Sequence, residues 1–409
     1  MKLLHTDTLL EAREKLKIAT QNKHFKTIHI KTEDSLSSIC AKDIYALEDV
    51  PSFRRSTVDG YALIASDTLG ASESNPLFFD ICGHIAIQEE ASMKVNSLQA
   101  VQVETGSMIP DGANAVIMVE YCEEYIPHHL ACFKAVSVGE NITQIGEDVQ
   151  KGHCLIKQGK KIDAYDIGML VSQGITDIEV FQPLDISIIS TGDELIDFHE
   201  TRQSAHMRDM NSYTLSSLAN LYGMHVISSK LVKDSQKEIE NVVSDAIEKS
   251  DIVIVSGGSS KGNKDYTASV FHTLTNNVFT HGISIKPGKP TLIAYEETHQ
   301  CLCVGLPGHP LAAILMFDLI VYDWYLYKTG YQRRKPYFAT MQENVSSNQG
   351  RETCLLVEII EDHHEYLAYP LYSRSGNMSS LQKAYGYVLI PRQKEGLKKG
   401  EKVRIEVLR

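Results

Sequence analysis

The sequence predicts a multidomain α/β plus β protein. A central, doubly wound, mostly parallel α/β domain is flanked by β-rich domains. Three observations carry this. From Leu184 onward, short runs of continuous apolar character (DISIIS, DIVIVS, CLCVGL) alternate with segments of helical spacing, as expected of parallel strands buried on both faces. Residues 47–140 are short apolar runs broken by Gly, Pro and Asn, such as FFDICGHIAI and AVIMVEYC, which reads as turn-dense β structure. Beyond Gly330 short strands return and close with KKGEKVRIEVL.

Length and charge narrow the class. The 409 residues exceed one ordinary core, so two to four domains are expected. The net charge of −12 argues against a nucleic-acid or membrane-surface binder while leaving room for a local basic pocket. The start, MKLLHTDTLLEAREKLK, has no long apolar stretch. The most apolar segment, Leu311 to Tyr327, is interrupted by Asp318 and Asp323, so it reads as a buried helix and not a membrane span. The eight cysteines are scattered, with no C-x-x-C and no His/Cys zinc spacing, and a cytoplasmic protein with reduced thiols is expected.

Element by element, the first ~20 residues read as a helix, with Leu9, Leu10, Leu16 and Ala19 on one side after a Thr6/Asp7 cap. Lys151 to Asp177 returns to helix around Asp163–Gln173, and the pattern breaks at Pro183. In the α/β region, strand 185–190 precedes a helix from Asn211 to Tyr222 that stops at Gly223. HVISSKLV is the next strand, and Asp234 caps a helix reaching about Lys249. DIVIVS ends in Gly257-Gly258. CLCVGL is followed by Pro307, Pro310 and the long apolar helix. The domains expected are 1–46 with 141–183 (an elongated helical linker domain), 47–140 (a β-rich insertion), 184–329 (α/β) and 330–409 (a small β-barrel).

Ligands of an open parallel sheet bind at the C-terminal ends of its strands, and the polar residues gather there. Strand 185–190 runs into Ser190-Thr191-Gly192-Asp193-Glu194, and strand 252–255 into SGGSSKGNKD, ending at Asp265. Two further loops read IKPGKP (285–290) and GLPGHP (305–310). Small residues such as Gly257 and Gly258 let a ligand approach backbone N–H groups that hold oxyanions. Glu194 and Asp265 are the candidates to hold Mg²⁺, and Lys286 and Lys289 to neutralise anionic oxygens. A lone STGDEL is more often a turn and cap, and PGKP alone is a rigid turn. Four such loops at the strand ends of one sheet favour function.

Two motifs mislead. Gly257 and Gly262 have the Walker spacing, but Asn263 stands where a lysine is required. Gly258-Ser259-Ser260-Lys261-Gly262 fits the nucleophile-elbow pattern, with His281 and His309 available later. An elbow needs a helix directly after it, and Asn263-Lys264-Asp265 reads as more loop.

The ordered loops resemble the molybdopterin molybdenumtransferase family over nearly the whole chain. VPSFRRSTVDGYAL (50–63), VETGSMIPDGANAVIMVE (103–120), GEDVQKG (146–152), STGDEL (190–195), RDMN (208–211), SGGSSKGNKDY (256–266), IKPGKP, GLPGHP and SGNMSSL (375–381) follow in family order. The resemblance implies a cytoplasmic, Mg²⁺-dependent transferase that inserts molybdate into adenylylated molybdopterin and releases AMP. It implies a homodimer of elongated subunits, with an active cleft that pairs the α/β domain of one with the β-rich domain of the other. Contact with the molybdopterin adenylyltransferase and with downstream cofactor-handling proteins is compatible with it, while the charge and the interrupted apolar segment already argue against nucleic acid and membrane as partners.

Carried over residue by residue, Asp59, Thr105, Asp148, Glu194, Asp234 and Asp265 are its polar site residues. Lys286, Lys289, Pro307, Pro310, Arg351 and Ser380 are its anion-side residues. The chain departs from the family pattern at His309, Ala312, Ser259 and Asp209-Met210-Asn211, which touches the anion site and not the membership. Two rival readings are weaker. An adenylyltransferase has no use for 47–140 and 330–409, and a scaffold has no use for clustered carboxylates, which are costly without a task.

Overall fold

The computed structural model describes residues 6–257, 266–275, 277–347, 350–372 and 378–408. Gly258 and Asp265, with both misleading loop motifs, lie outside the described residues.

The three apolar runs become neighbouring strands. The central sheet has the order His225–Val232, Asp185–Thr191, Ile252–Ser256, Cys301–Leu306, Leu292–Glu296, Val278–His281. Its first four strands are parallel. The last two, which the sequence pattern did not single out, add an antiparallel edge. Every residue of Ile252–Ser256 and Cys301–Leu306 is buried, because helices cover both faces. Ile186, Ile188, Ile254 and Val304 pack with helix Asn211–Leu221 and the long helix on one side. Ile189, Val253 and Val255 pack with helices Gln236–Lys249 and Tyr266–Thr275 on the other.

The long apolar segment is a 20-residue helix, Pro310–Thr329, with most of its apolar stretch buried inside the protein. It starts on Pro310, whose missing N–H costs nothing at the first helical position. Its middle turn, Phe317–Tyr322, is π-helical. There Asp318, 1% exposed, forms an ion pair with Arg333 at 2.7 Å and accepts hydrogen bonds from Tyr387 at 2.8 Å and Tyr222 at 3.1 Å. This buried carboxylate ties the helix to the C-terminal domain.

The N-terminal helix departs from expectation in two ways. Thr8, not Thr6 or Asp7, is the cap, and it forms a capping box with Glu11 over helix Leu9–Ala19. Leu10 is exposed, while Leu9, Ala12 and Leu16 are buried in the core of the α/β domain. Asp7 accepts bonds from Lys15 and Thr280, and Trp324 Nε1 donates to Thr20. This helix therefore packs with the α/β unit and not with the linker layer into which the sequence reading placed residues 1–46. The linker layer itself pairs Thr27–Lys31 with Asp177–Phe181, Ile44–Tyr45 with Cys154–Ile156, and Arg55–Ser56 with Ile142–Thr143. Its helix Ala164–Ser172 is capped by Asp163.

The insertion is a six-stranded mixed sheet, with Ala115–Met118, Gly60–Leu63 and Gln99–Val103 at one end and hairpin Cys122–Ile126/His129–Cys132 at the other. Apolar clusters cover both its faces. The C-terminal strands close a five-membered ring, Glu352–Asp362, Glu365–Pro370, Tyr337–Met341, Lys402–Val407 and Gly386–Ile390, which pairs back onto Glu352–Asp362. Strand Ile285–Lys286 of the α/β domain adds to this barrel alongside Glu352 and Thr353.

Candidate functional site

Strand order determines which loops meet. Because Asp185–Thr191, Ile252–Ser256 and Cys301–Leu306 are parallel neighbours, their outgoing turns converge at one edge. Gly257 has φ +116°, and a Cβ there would lie 2.3 Å from the Thr191 carbonyl oxygen. Only glycine lets the two turns approach so closely. Gly257 N donates to Leu306 O at 3.2 Å, which brings the third loop alongside, with Pro307 and Pro310 buried beneath it.

Asn211, expected as the start of a helix and the last residue of the RDMN motif, bridges the same edge. Its Nδ2 donates to Ser256 Oγ at 2.8 Å and to Gly308 O at 2.9 Å. Asp209 accepts from Ser190 Oγ at 3.0 Å and from Ser212 N at 3.2 Å. Both residues are buried and lock the loops from beneath. A buried Asp-x-Asn at the start of a helix was the available signal.

Asp234 does not cap its helix. The cap is Ser235, which makes no capping bond. Asp234 instead faces Asp193 and Glu194. Its N–H donates to Asp193 Oδ1 at 3.1 Å, while its own buried Oδ1 and the Thr191 hydroxyl beside it fall short of hydrogen-bond geometry with any partner, although the hydroxyl still favours the charged carboxyl weakly. Burial first, then the like charges of Asp193 and Glu194, push the Asp234 carboxyl above the usual carboxylate range. An unsatisfied buried carboxylate oxygen between two further acids is a setting that a cation relieves. Among the described residues no set of three or more His, Cys, Asp or Glu side chains is arranged to hold a metal by itself. Mg²⁺ commonly takes only one or two carboxylates and completes its shell with water and substrate phosphate, so Glu194 and Asp234 fit that role with Asp193 alongside.

The basic residues lie on the seam between the α/β domain and the barrel. Lys286 pairs with Thr353 and Ile285 with Glu352, and Ser284 Oγ donates to Gly350 O at 3.2 Å. Arg351 thus falls within two register positions of Lys286. Lys286, Lys289 and Arg351 are all exposed, and none forms a salt bridge among the described residues. The loop is anchored by Gly288, φ +124°, where a Cβ would strike Met316 Sδ of the long helix at 2.4 Å. Glu352 keeps one buried carboxylate oxygen unpartnered here, so the seam holds one acid among its cations. Ser380 lies on the short helix Met378–Lys383, which packs against Pro310–Met316.

Asp59 and Thr105 form a separate pair in the insertion. Asp59 Oδ1 accepts from Thr105 N at 2.7 Å and Thr105 Oγ1 at 2.8 Å. These two donors hold the exposed Asp59 carboxyl below the usual range. Asp148 is exposed on the linker layer, where its N–H donates to Val50 O. Among the described residues, no hydrogen bond or salt bridge joins the 47–140 insertion to the 184–329 domain. One chain therefore brings together Glu194, Asp234 and Gly257 with the proline loop, and Lys286 with Arg351, while among the described residues no hydrogen bond or salt bridge ties Asp59 or Thr105 to either group.

Comparison with known proteins gives the family. The family model of the MoeA N-terminal region (domains I and II) matches residues 8–174, that of a probable molybdopterin binding domain matches 187–326, and that of the MoeA C-terminal region (domain IV) matches 339–408. A putative molybdopterin biosynthesis protein of Methanocaldococcus jannaschii is 32% identical over 424 aligned positions, covering 100% of both chains. The chain belongs to the MoeA family. Another relative, the molybdopterin molybdenumtransferase of Bacillus subtilis, is 29% identical over 95% of this chain and 91% of its own. The crystal structure of a molybdopterin biosynthesis MoeA protein from Pyrococcus horikoshii matches with a TM-score of 0.86 at 31% identity, covering 99% of this chain and 100% of that one. This MoeA chain thus has the α/β plus β-rich architecture of its family from end to end.

Proposed function

We propose that the protein acts in molybdenum cofactor biosynthesis by inserting molybdate into adenylylated molybdopterin, releasing AMP and forming Mo-molybdopterin. The observation that carries this reading is the buried, unpartnered Asp234 Oδ1 beside Asp193 and Glu194, at the edge where the glycine loop and the proline loop converge. The organic substrate carries a pyrophosphate linkage, and molybdate is a tetrahedral dianion. Both need cations and backbone N–H groups, and the phosphates need a metal partner.

Glu194 and Asp234, with Asp265 as the third expected acid, would hold Mg²⁺, which supplies charge neutralisation at phosphoryl oxygens when bound. Gly257 and the proline loop receive the phosphate-bearing part. Lys286, Lys289 and Arg351 draw the oxyanion to the domain seam and offset its charge. Ser380 lines the approach from the barrel side. No nucleophilic side chain is required. Positioning two anions against fixed charges and dipoles supplies the catalysis.

Asp59 and Thr105 complete the site from a second subunit of a homodimer. What supports this is that the pair is preorganised and exposed yet, among the described residues, is joined by no hydrogen bond or salt bridge to Glu194 or Asp234 of its own chain. The deciding experiment incubates the protein with adenylylated molybdopterin, molybdate and Mg²⁺. AMP release, together with product that activates an apo-molybdoenzyme, is the expected result. AMP release without activating product would leave only a hydrolase.

A further inference from the structure

The strands Cys122–Ile126 and His129–Cys132 form the outer hairpin of the insertion, and their register sets Cys122 directly opposite Cys132. Phe133 N donates to Tyr121 O at 2.9 Å. The pair therefore sits in a non-hydrogen-bonded position of the antiparallel ladder, where facing side chains are nearest. The typical Cα separation there, about 4.5 Å, falls inside the span that a disulfide bridges. The two sulfurs are already 3.7 Å apart. Cys132 is fully buried, while Cys122 is partly open to solvent. In the strand registers of the described residues no other two cysteines stand opposite one another. Cys301 and Cys303 are sealed inside the central sheet, and Cys82 is exposed without a thiol opposite.

We propose that Cys122 and Cys132 are an oxidisable dithiol, a modification site that closes to a cross-strand disulfide by exchange with a low-molecular-weight disulfide. Cys122 is the more accessible thiol, and the Cys132 contact and burial hold its pKa above the usual thiol range. The small fraction present as thiolate, its proton given up to solvent, therefore makes the attack and sets a slow first step. A mixed disulfide forms and one small thiol leaves. Cys132 then attacks Cys122 Sγ, the internal disulfide forms and the second small thiol leaves. The protein loses two hydrogens, and the reagent is reduced to two thiols. The bond would staple the hairpin directly after Val119–Tyr121, the single turn whose Val119 N–H donates to Asp59 O at 3.1 Å. It thereby braces the segment that carries the Asp59–Thr105 pair.

The test equilibrates the folded full-length protein in oxidised glutathione with defined amounts of reduced glutathione, quenches with acid and alkylates. Six of the eight cysteines should remain titratable after denaturation, and peptide mapping should find the 122–132 link. Cys122→Ser should keep all its thiols or carry only glutathione adducts, and Cys132→Ser should trap the mixed disulfide on Cys122. If the serine change in the core unfolds the second variant, the mapping of the wild type still decides. Eight free thiols at every glutathione ratio, or adducts confined to Cys82, would overturn the proposal.

Discussion

Asn211 holds Gly308 from across the sheet: its Nδ2 reaches the Gly308 carbonyl at 2.9 Å while also donating to Ser256 Oγ at 2.8 Å. One buried amide thus ties the start of one helix to the loop before another and to the end of a central strand. The proline loop owes its position to this contact as well as to its own rigidity.

Asn211→Ala should therefore loosen the site without touching a charge. One buried acceptor, Ser256 Oγ, and one part-buried acceptor, the Gly308 carbonyl, lose their donor, which costs about 1–3 kcal/mol of stability. The KM for the organic substrate should rise more than kcat falls. Asn211→Asp should be worse, because a carboxylate would face the Gly308 carbonyl. Urea unfolding and steady-state kinetics on both variants check this, and an Asp variant equal to wild type would contradict it.

Asp234→Asn should move stability and activity in opposite directions. The Asp234 carboxyl is raised by burial and by its acidic neighbours, so the folded protein prefers it protonated. That preference contributes stability below the unfolded-state pKa and is lost as pH rises through the raised folded-state value. At neutral pH without Mg²⁺ the charged form is a cost, and the neutral asparagine should melt higher than wild type. The advantage should vanish as pH falls through the acidic range. Mg²⁺ activation should weaken by no less than the roughly 10–100-fold typical of losing a supporting group at a metal site. Melting curves across pH and Mg²⁺ titrations read the two effects separately.

Lys286→Ala should raise the molybdate concentration needed for cofactor formation roughly ten- to a hundredfold, the equivalent of a charged hydrogen bond. Binding of adenylylated molybdopterin should be spared. Ala312→Ser should leave molybdate use unchanged or modestly better. If Lys286→Ala weakens binding of the organic substrate instead, the lysine serves its phosphate and the oxyanion lies elsewhere.

Mixing Asp59→Ala subunits with Glu194→Gln subunits should restore one working cleft in a heterodimer, whereas each homodimer should be inactive. Sedimentation establishes the dimer, and AMP release reports recovery. Verified heterodimers without activity would place the whole site within one chain.

Asp318→Asn should cost about 3 kcal/mol, the lower end for breaking a buried pair, since it leaves the part-buried Arg333 guanidinium, 18% exposed, without its counter-charge. Differential scanning calorimetry should show the transition containing the α/β core shifted down.

Much of this architecture was legible in the sequence. Continuous apolar runs announced strands buried on both faces, and the glycine and proline loops after them announced the edge where the strand ends converge. Those are local signals: the burial of a strand is written in its own residues. Only the tertiary structure decided what Asp234 and Asn211 do, where the first helix packs, and that Lys286 and Arg351 share a seam. A capping carboxylate and one set among other acids look alike in sequence. They differ by whether Asp193 and Glu194, some 40 residues earlier, arrive beside them. The stripe of Leu9, Ala12 and Leu16 specifies that the helix buries a face but not which one it covers. Periodicity reports that a side chain is buried. Strand order and register determine its neighbours, and these arise from long-range packing that no local segment encodes.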